Sequence, residues 1–170
     1  QILSSAVTEY VDGKFTVGKV DVSAGGIVFR GVVLTSDKKG SQPIIDAEAV
    51  KIGFRLADLI RNRKDPARAI DSVEIVRPDV VLVRGRDGRW NIADLLKPSP
   101  DRPATQFKGR VVIKSGTVTI IDREQAGKAE KNGLTKLNAI IDFADSPVAD
   151  CRLTAEGAGG RVGKIAIKAR

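Results

Sequence analysis

The amino-acid sequence predicts a mainly β protein: a long, curved antiparallel sheet entered through a short N-terminal helix and carrying two short capping helices. Three observations carry that prediction. The apolar fraction of 42% is dominated by Val, Ile, Leu and Ala, with 4% aromatics and no Met, a mixture that suits pleated sheet. Apolar residues recur with a period of two through most of the chain, in runs separated by Gly, Asp or Pro turns. Several runs also change phase partway, as a strand does when a bulge or strong twist carries its buried face across.

Residues 1–11 (QILSSAVTEYV) place Leu3, Val7 and Tyr10 or Val11 at helical spacing before the stop signal Asp12-Gly13, which predicts the entry helix. From Phe15 the period becomes two, and strands are expected at 15–22, 26–35 and 44–54 as a meander. In the third, Ile45, Ala47 and Ala49 share one parity and Val50, Ile52 and Phe54 the other. Residues 56–62 return to helical spacing through Leu56, Leu59 and Ile60, and Asp65-Pro66 closes them, giving the first capping helix. Two strands follow, at 70–76 and 79–84, on either side of Pro78, whose missing N–H confines it to an edge, a strand start or a bulge.

The stretch 84–96 (RGRDGRWNIADLL) reads as a turn, a plug and a helix cap. Asp87-Gly88 supplies the tight turn, Trp90 folds apolar surface back onto the sheet, and Asn91 takes the N-cap of a second short helix with Asp94 in its first turn. Leu95 and Leu96 anchor that helix. Three prolines within residues 97–105 (KPSPDRPAT) then mark a linker. The chain therefore divides into an α+β module at 1–96, a linker at 97–107 and a β-meander at 108–170.

Beyond the linker, residues 110–114 and 117–122 are expected to form a hairpin about Ser115-Gly116, and the polar stretch 123–133 a long loop. The alternation then becomes clean. Leu137, Ala139, Ile141 and Phe143 share one parity, as do Cys151, Leu153 and Ala155, and again Ile165, Ile167 and Ala169. Lys136, Asn138, Asp142, Arg152, Thr154, Glu156, Lys164 and Lys168 take the opposite parity, so one sheet face is apolar and the other wet.

Composition narrows the chemistry. The chain has no His, which removes Ser-His-Asp and Cys-His nucleophile systems and the commonest metal ligand together. A single Cys cannot assemble a zinc site or an intrachain disulfide, and Cys151 reads as a small buried apolar residue. Asp71, Glu74, Asp79, Asp142 and Asp145 read as turn and surface carboxylates, and residues 157–163 (GAGGRVG) lack the strand-to-helix context of a phosphate cradle. No enzyme, cofactor or metal is expected. The net charge of +8 favours anionic partners. Its dispersal along the chain and the scarcity of aromatic stacking platforms argue against nucleic acid; a solvated basic surface with no specific role comes first, and attraction to anionic lipid headgroups next.

The order of these segments resembles a known family. A short entry helix leads into GKFTVGKVDVS, GGIVFRGVVL and IIDAEAVKIGF, followed by LADLI, IDSVEIVRPDVVLVR and DGRWNIADLL. This resembles the N-terminal part of the AsmA-like and TamB-like proteins, bacterial relatives of the bridge-like lipid-transfer proteins. The match covers residues 1–96, FKGRVVIKSGTVTIIDRE is also typical, and 138–170 agrees in kind only. The resemblance implies a taco-like β-groove extending through the periplasm, tethered to the inner membrane by an N-terminal helix upstream of Gln1. It further implies carriage of phospholipid between the two membranes in support of outer-membrane biogenesis, and an outer-membrane barrel protein as a partner. The absence of an initiating Met and the ending at Arg170 inside an alternating pattern agree with a piece of such a protein.

On that reading the groove face is Leu137, Ala139, Ile141, Phe143, Leu153, Ile165 and Ile167, meeting phospholipid acyl chains, with Lys136, Arg152, Lys164 and Lys168 at its rim. Asp87, Gly88, Trp90 and Asn91 are the structural turn and cap. The alternative is a structural or interaction module of a large envelope protein, in which the sheet is a scaffold and an exposed edge recruits an assembly partner.

Overall fold

The computed structural model describes residues 13–36, 42–61, 69–95, 108–123, 130–143, 150–157 and 165–169. The predicted entry helix at 1–11 lies outside them, as does the whole 97–107 linker. Eight strands, β1 (Gly13–Ser23), β2 (Gly26–Ser36), β3 (Pro43–Phe54), β4 (Ile70–Arg84), β5 (Arg110–Asp122), β6 (Glu130–Asp142), β7 (Asp150–Gly157) and β8 (Ile165–Ala169), form one open sheet in sequence order. All neighbours are antiparallel except β4 and β5, which pair in parallel from Ser72↔Arg110 to Arg84↔Asp122. The strands on the two sides of the proline-rich segment are thus hydrogen-bonded neighbours. A parallel pair needs a crossover rather than a hairpin, and the chain from 85 to 109 supplies it.

Three sequence expectations change. The segments 70–76 and 79–84 are one strand: Arg77 adopts a positive φ of 46°, and the register to β3 and β5 continues unshifted past Pro78. The expected hairpin at Ser115-Gly116 is likewise one strand, β5: Ser115 takes a φ of 54° and the register with β6 shifts around Gly116. Residues 130–133 extend β6 rather than belonging to a loop.

The two expected capping helices are not seen as capping elements. Leu56–Arg61 makes a turn and a half of α-helix (α1), held by ion pairs from Arg55 and Arg61 to Asp58, without extensive packing against any strand. Asn91–Leu95 is a 3-10 turn laid against β2 and β4.

The irregular steps line up. Residues paired across neighbouring strands share a face, so the register assigns one apolar face through the whole sheet. In each of six strands that face contains a single three-residue step where two is normal: Val17 to Val20, Phe29 to Val32, Ala47 to Val50, Ile75 to Pro78, Ile113 to Gly116, and Leu134 to Leu137. Positive φ falls within four of these steps, at Gly31 (60°), Arg77, Ser115 and Lys136 (50°). The steps form a transverse seam from β1 to β6 that meets β7 opposite Ala155. From β1 to β5 the steps match and the register is unshifted across them; between β5, β6 and β7 it shifts, and extra residues of that kind bend a strand and increase its twist.

Much of the burial lies along the seam, with Ile44 and Ala69 buried at strand ends away from it. Phe29, Val32, Ala47, Leu137 and Ala155 are buried beside it, together with Pro78 and Gly116. Phe29, Val32 and Ala47 gather Phe15, Val17, Ile27, Val50, Ile52 and Ile75 around them; Leu137, Ala139 and Ala155 gather Ile113, Val118, Leu134 and Leu153. Every residue of these two clusters belongs to the apolar face.

Candidate functional site

The site is built from the apolar face itself. Register brings the sequence-predicted residues together in rows: Ile141 pairs with Cys151 and Cys151 with Ala169; Ala139 pairs with Leu153 and Leu153 with Ile167; Ile165 pairs with Ala155, beside Leu137. Phe143 follows β6, half-buried, its N–H donating to the Gly109 carbonyl at 3.1 Å and so prolonging the β5–β6 ladder. Cys151 is half-buried on this face rather than fully enclosed.

Sequence reasoning saw only the C-terminal third of this surface. The face continues through β5, β4 and β3 to Phe15, Val17, Val20 and Val22 on β1, where Val20 is 48% and Val22 73% exposed. The three-residue steps hid it, since each reverses the alternation that would reveal it. The phase change in the third strand was the available signal. Among the described residues no large side chain is fully buried, and no element covers the face as a second layer.

The opposite face carries charge in rows across the strands. Lys51 and Lys114 each reach Glu74 at 2.6 Å, joining β3, β4 and β5; Lys19 and Arg30 hold Asp21 at 2.8 and 3.1 Å; Arg77 pairs with Glu48; Arg110 meets Asp142 at 2.9 Å. The hydrogen bonds from Lys114 and then Lys51 hold the Glu74 carboxyl below its ordinary range, and those from Lys19 and then Arg30 do the same for Asp21. Two residues expected at a groove rim belong here instead: Lys136 pairs with Glu156 at 3.0 Å and Arg152 with Asp150 at 3.7 Å. Lys168 is opposite Arg152, and Lys164 lies outside the described residues.

A shallow cleft lined by Arg110, Ile140, Asp142, Asp150 and Arg152 contains paired charges but no nucleophile beside a base. Among the described residues no three potential ligands converge on a metal position.

Asp87-Gly88 makes the expected turn, whereas Trp90 and Asn91 do a different job from the one expected. Gly88, at a φ of 75°, closes a loop in which its N–H donates to the Gly85 carbonyl at 3.0 Å and the Gly85 N–H to the Arg89 carbonyl at 2.8 Å; the Asp87 carboxylate accepts from the Arg89 N–H at 3.2 Å. Trp90 bridges back to Arg84 and stays 37% exposed, so it is no sealed plug. Asn91 is not an N-cap. Its Oδ1 accepts from the Val83 N–H at 2.9 Å and its Nδ2 donates to the Val81 carbonyl at 2.8 Å. One side chain thereby replaces a missing strand along β4 where β3 has begun to run out. Asn138 does the same at the seam, accepting from the Ser115 N–H at 3.0 Å and donating to the Lys136 carbonyl at 2.9 Å.

No family model and no curated protein matches the chain.

Proposed function

We propose that this chain is a periplasmic segment of an inner-membrane-anchored protein that carries phospholipid between the inner and outer membranes, holding acyl chains on its apolar sheet face. One observation carries the reading: an apolar face continuous through eight strands, with no second layer over it among the described residues. An uncovered apolar surface of such extent marks an interaction site. Its span across eight strands is roughly 34 Å at strand spacing, against about 15 Å for one leaflet of a bilayer core. An acyl chain fits along it with room to spare.

The seam supports a curved groove. Side chains beside it are buried although no described element is stacked above them, which is the expected result of a sheet that bends along that line and shelters its own concave side. The sequence resemblance to AsmA-like and TamB-like proteins points the same way, and it is the source of the periplasmic location, the membrane anchor and the outer-membrane barrel partner in this reading.

Native mass spectrometry of the chain purified without detergent tests it. Mass increments matching phospholipids, removed by delipidation and restored by adding phospholipid, are expected. A lipid-free chain that takes up none after delipidation overturns the proposal.

A further inference from the structure

We infer that the end of the sheet bearing the 85–90 turn is a docking surface for an anionic phospholipid bilayer. It stands apart from acyl-chain carriage, since a protein can rest on a bilayer without extracting lipid from it. Four arginines meet at this end. Arg84 closes β4, and its carbonyl accepts from the Arg123 N–H at 3.1 Å, so the two lie side by side; Arg86 and Arg89 extend from the turn. Arg86, Arg89 and Arg123 are exposed and have no carboxylate partner among the described residues, while Arg84 reaches Asp122 at 3.6 Å.

The other end of the sheet is a natural control. There Arg55 and Arg61 share Asp58, Arg110 holds Asp142 and Arg152 approaches Asp150. Among the described residues, the arginines at one end are each paired with a carboxylate, whereas Arg86, Arg89 and Arg123 at the other have no such partner. Unpaired guanidinium groups suit phosphate, which they bind through paired hydrogen bonds.

Apolar residues distinguish a bilayer from a soluble polyanion. Trp90 and Ile92 are each 37% exposed within the same turn. Trp90 is bridged to Arg84, which lies in line with Leu82 and Val80 on the apolar face. An indole beside arginines at the edge of an apolar surface matches the headgroup level of a membrane, where the ring sits at the interface and the cations meet phosphate. The bilayer would thus be met at one end of the apolar face.

Trp90 is the chain's single tryptophan and serves as its own probe. With vesicles of phosphatidylglycerol in phosphatidylcholine, its emission should shift to the blue and become protected from acrylamide, and neither change should occur with phosphatidylcholine alone. Arg86→Glu with Arg89→Glu should weaken co-sedimentation about 25-fold or more, at about fivefold per charge removed. Arg55→Glu with Arg61→Glu changes net charge equally at the opposite end and should leave binding within about twofold. Absence of the wild-type Trp90 response, an equal loss from both double variants, or the same emission shift with heparin overturns the proposal. Ile141→Asp separates the two readings: vesicle binding should persist in it even where lipid uptake is lost.

Discussion

Glu74 shows how one carboxylate ties three strands on the charged face. Its position opposite Lys51 was set by β3–β4 register and its contact with Lys114 by the parallel β4–β5 pair, which the sequence did not reveal. Because both lysines stabilise the ionised form, the folded-state value lies below the unfolded one. The contribution is therefore present above the ordinary glutamate range and is lost as pH falls through the depressed value. Partial exposure limits it to on the order of 1 kcal/mol. Chemical denaturation should find Glu74→Gln less stable than the parent by up to that amount at pH 7, with the difference vanishing in acid. A difference that persists at low pH would assign the effect to packing. Asn91 and Asn138 teach a related lesson: asparagine looks like a turn or cap residue in sequence, and only the strand ends around it reveal a side chain completing a ladder.

At the scale of the element, strand existence was legible and strand continuity was not. Alternation located β1 to β3 closely, but Pro78 and Ser115-Gly116 read as interruptions because proline and Ser-Gly ordinarily punctuate strands. Here Pro78 sits inside β4 with its register to both neighbours unshifted, and Ser115-Gly116 sits inside β5 where the register with β6 shifts. The seam makes opposite demands on two of its residues. Gly31, at a φ of 60° and with only ordinary contacts to the Gly18 backbone at 3.8 and 3.9 Å awaiting a Cβ, adopts freely what an L residue adopts at a cost of about 1 kcal/mol. Ser115, at 54°, already bears that cost. Thermal melts should show Gly31→Ala destabilised and Ser115→Gly equal to or more stable than the parent, each by about 1 kcal/mol. The opposite order would mean that the seam is not held by left-handed backbone at these positions.

At the scale of the whole molecule, the division into residues 1–96 and 108–170 followed composition, whereas the hydrogen bonding runs through β4 and β5 without a break. Proline content reports the connection and is blind to what the connected strands do next. The same scale decides between a sheltered core and an open face, because both produce the same alternation. Leu137 and Ile141 lie on one strand and one face, yet Leu137 is 7% exposed beside the seam and Ile141 only half-buried away from it. If acyl chains cover the face, their sensitivities should separate. Leu137→Ala removes packing that the protein supplies to itself and should cost about 2–4 kcal/mol in urea titrations. Ile141→Asp places a charge where lipid, not protein, is the neighbour; the sheet should keep its far-ultraviolet spectrum and its cooperative melt while losing bound phospholipid. Were Ile141→Asp to unfold the sheet as severely as Leu137→Ala, the face would be a core closed by segments of the chain itself. The groove would then have to be sought elsewhere in the protein.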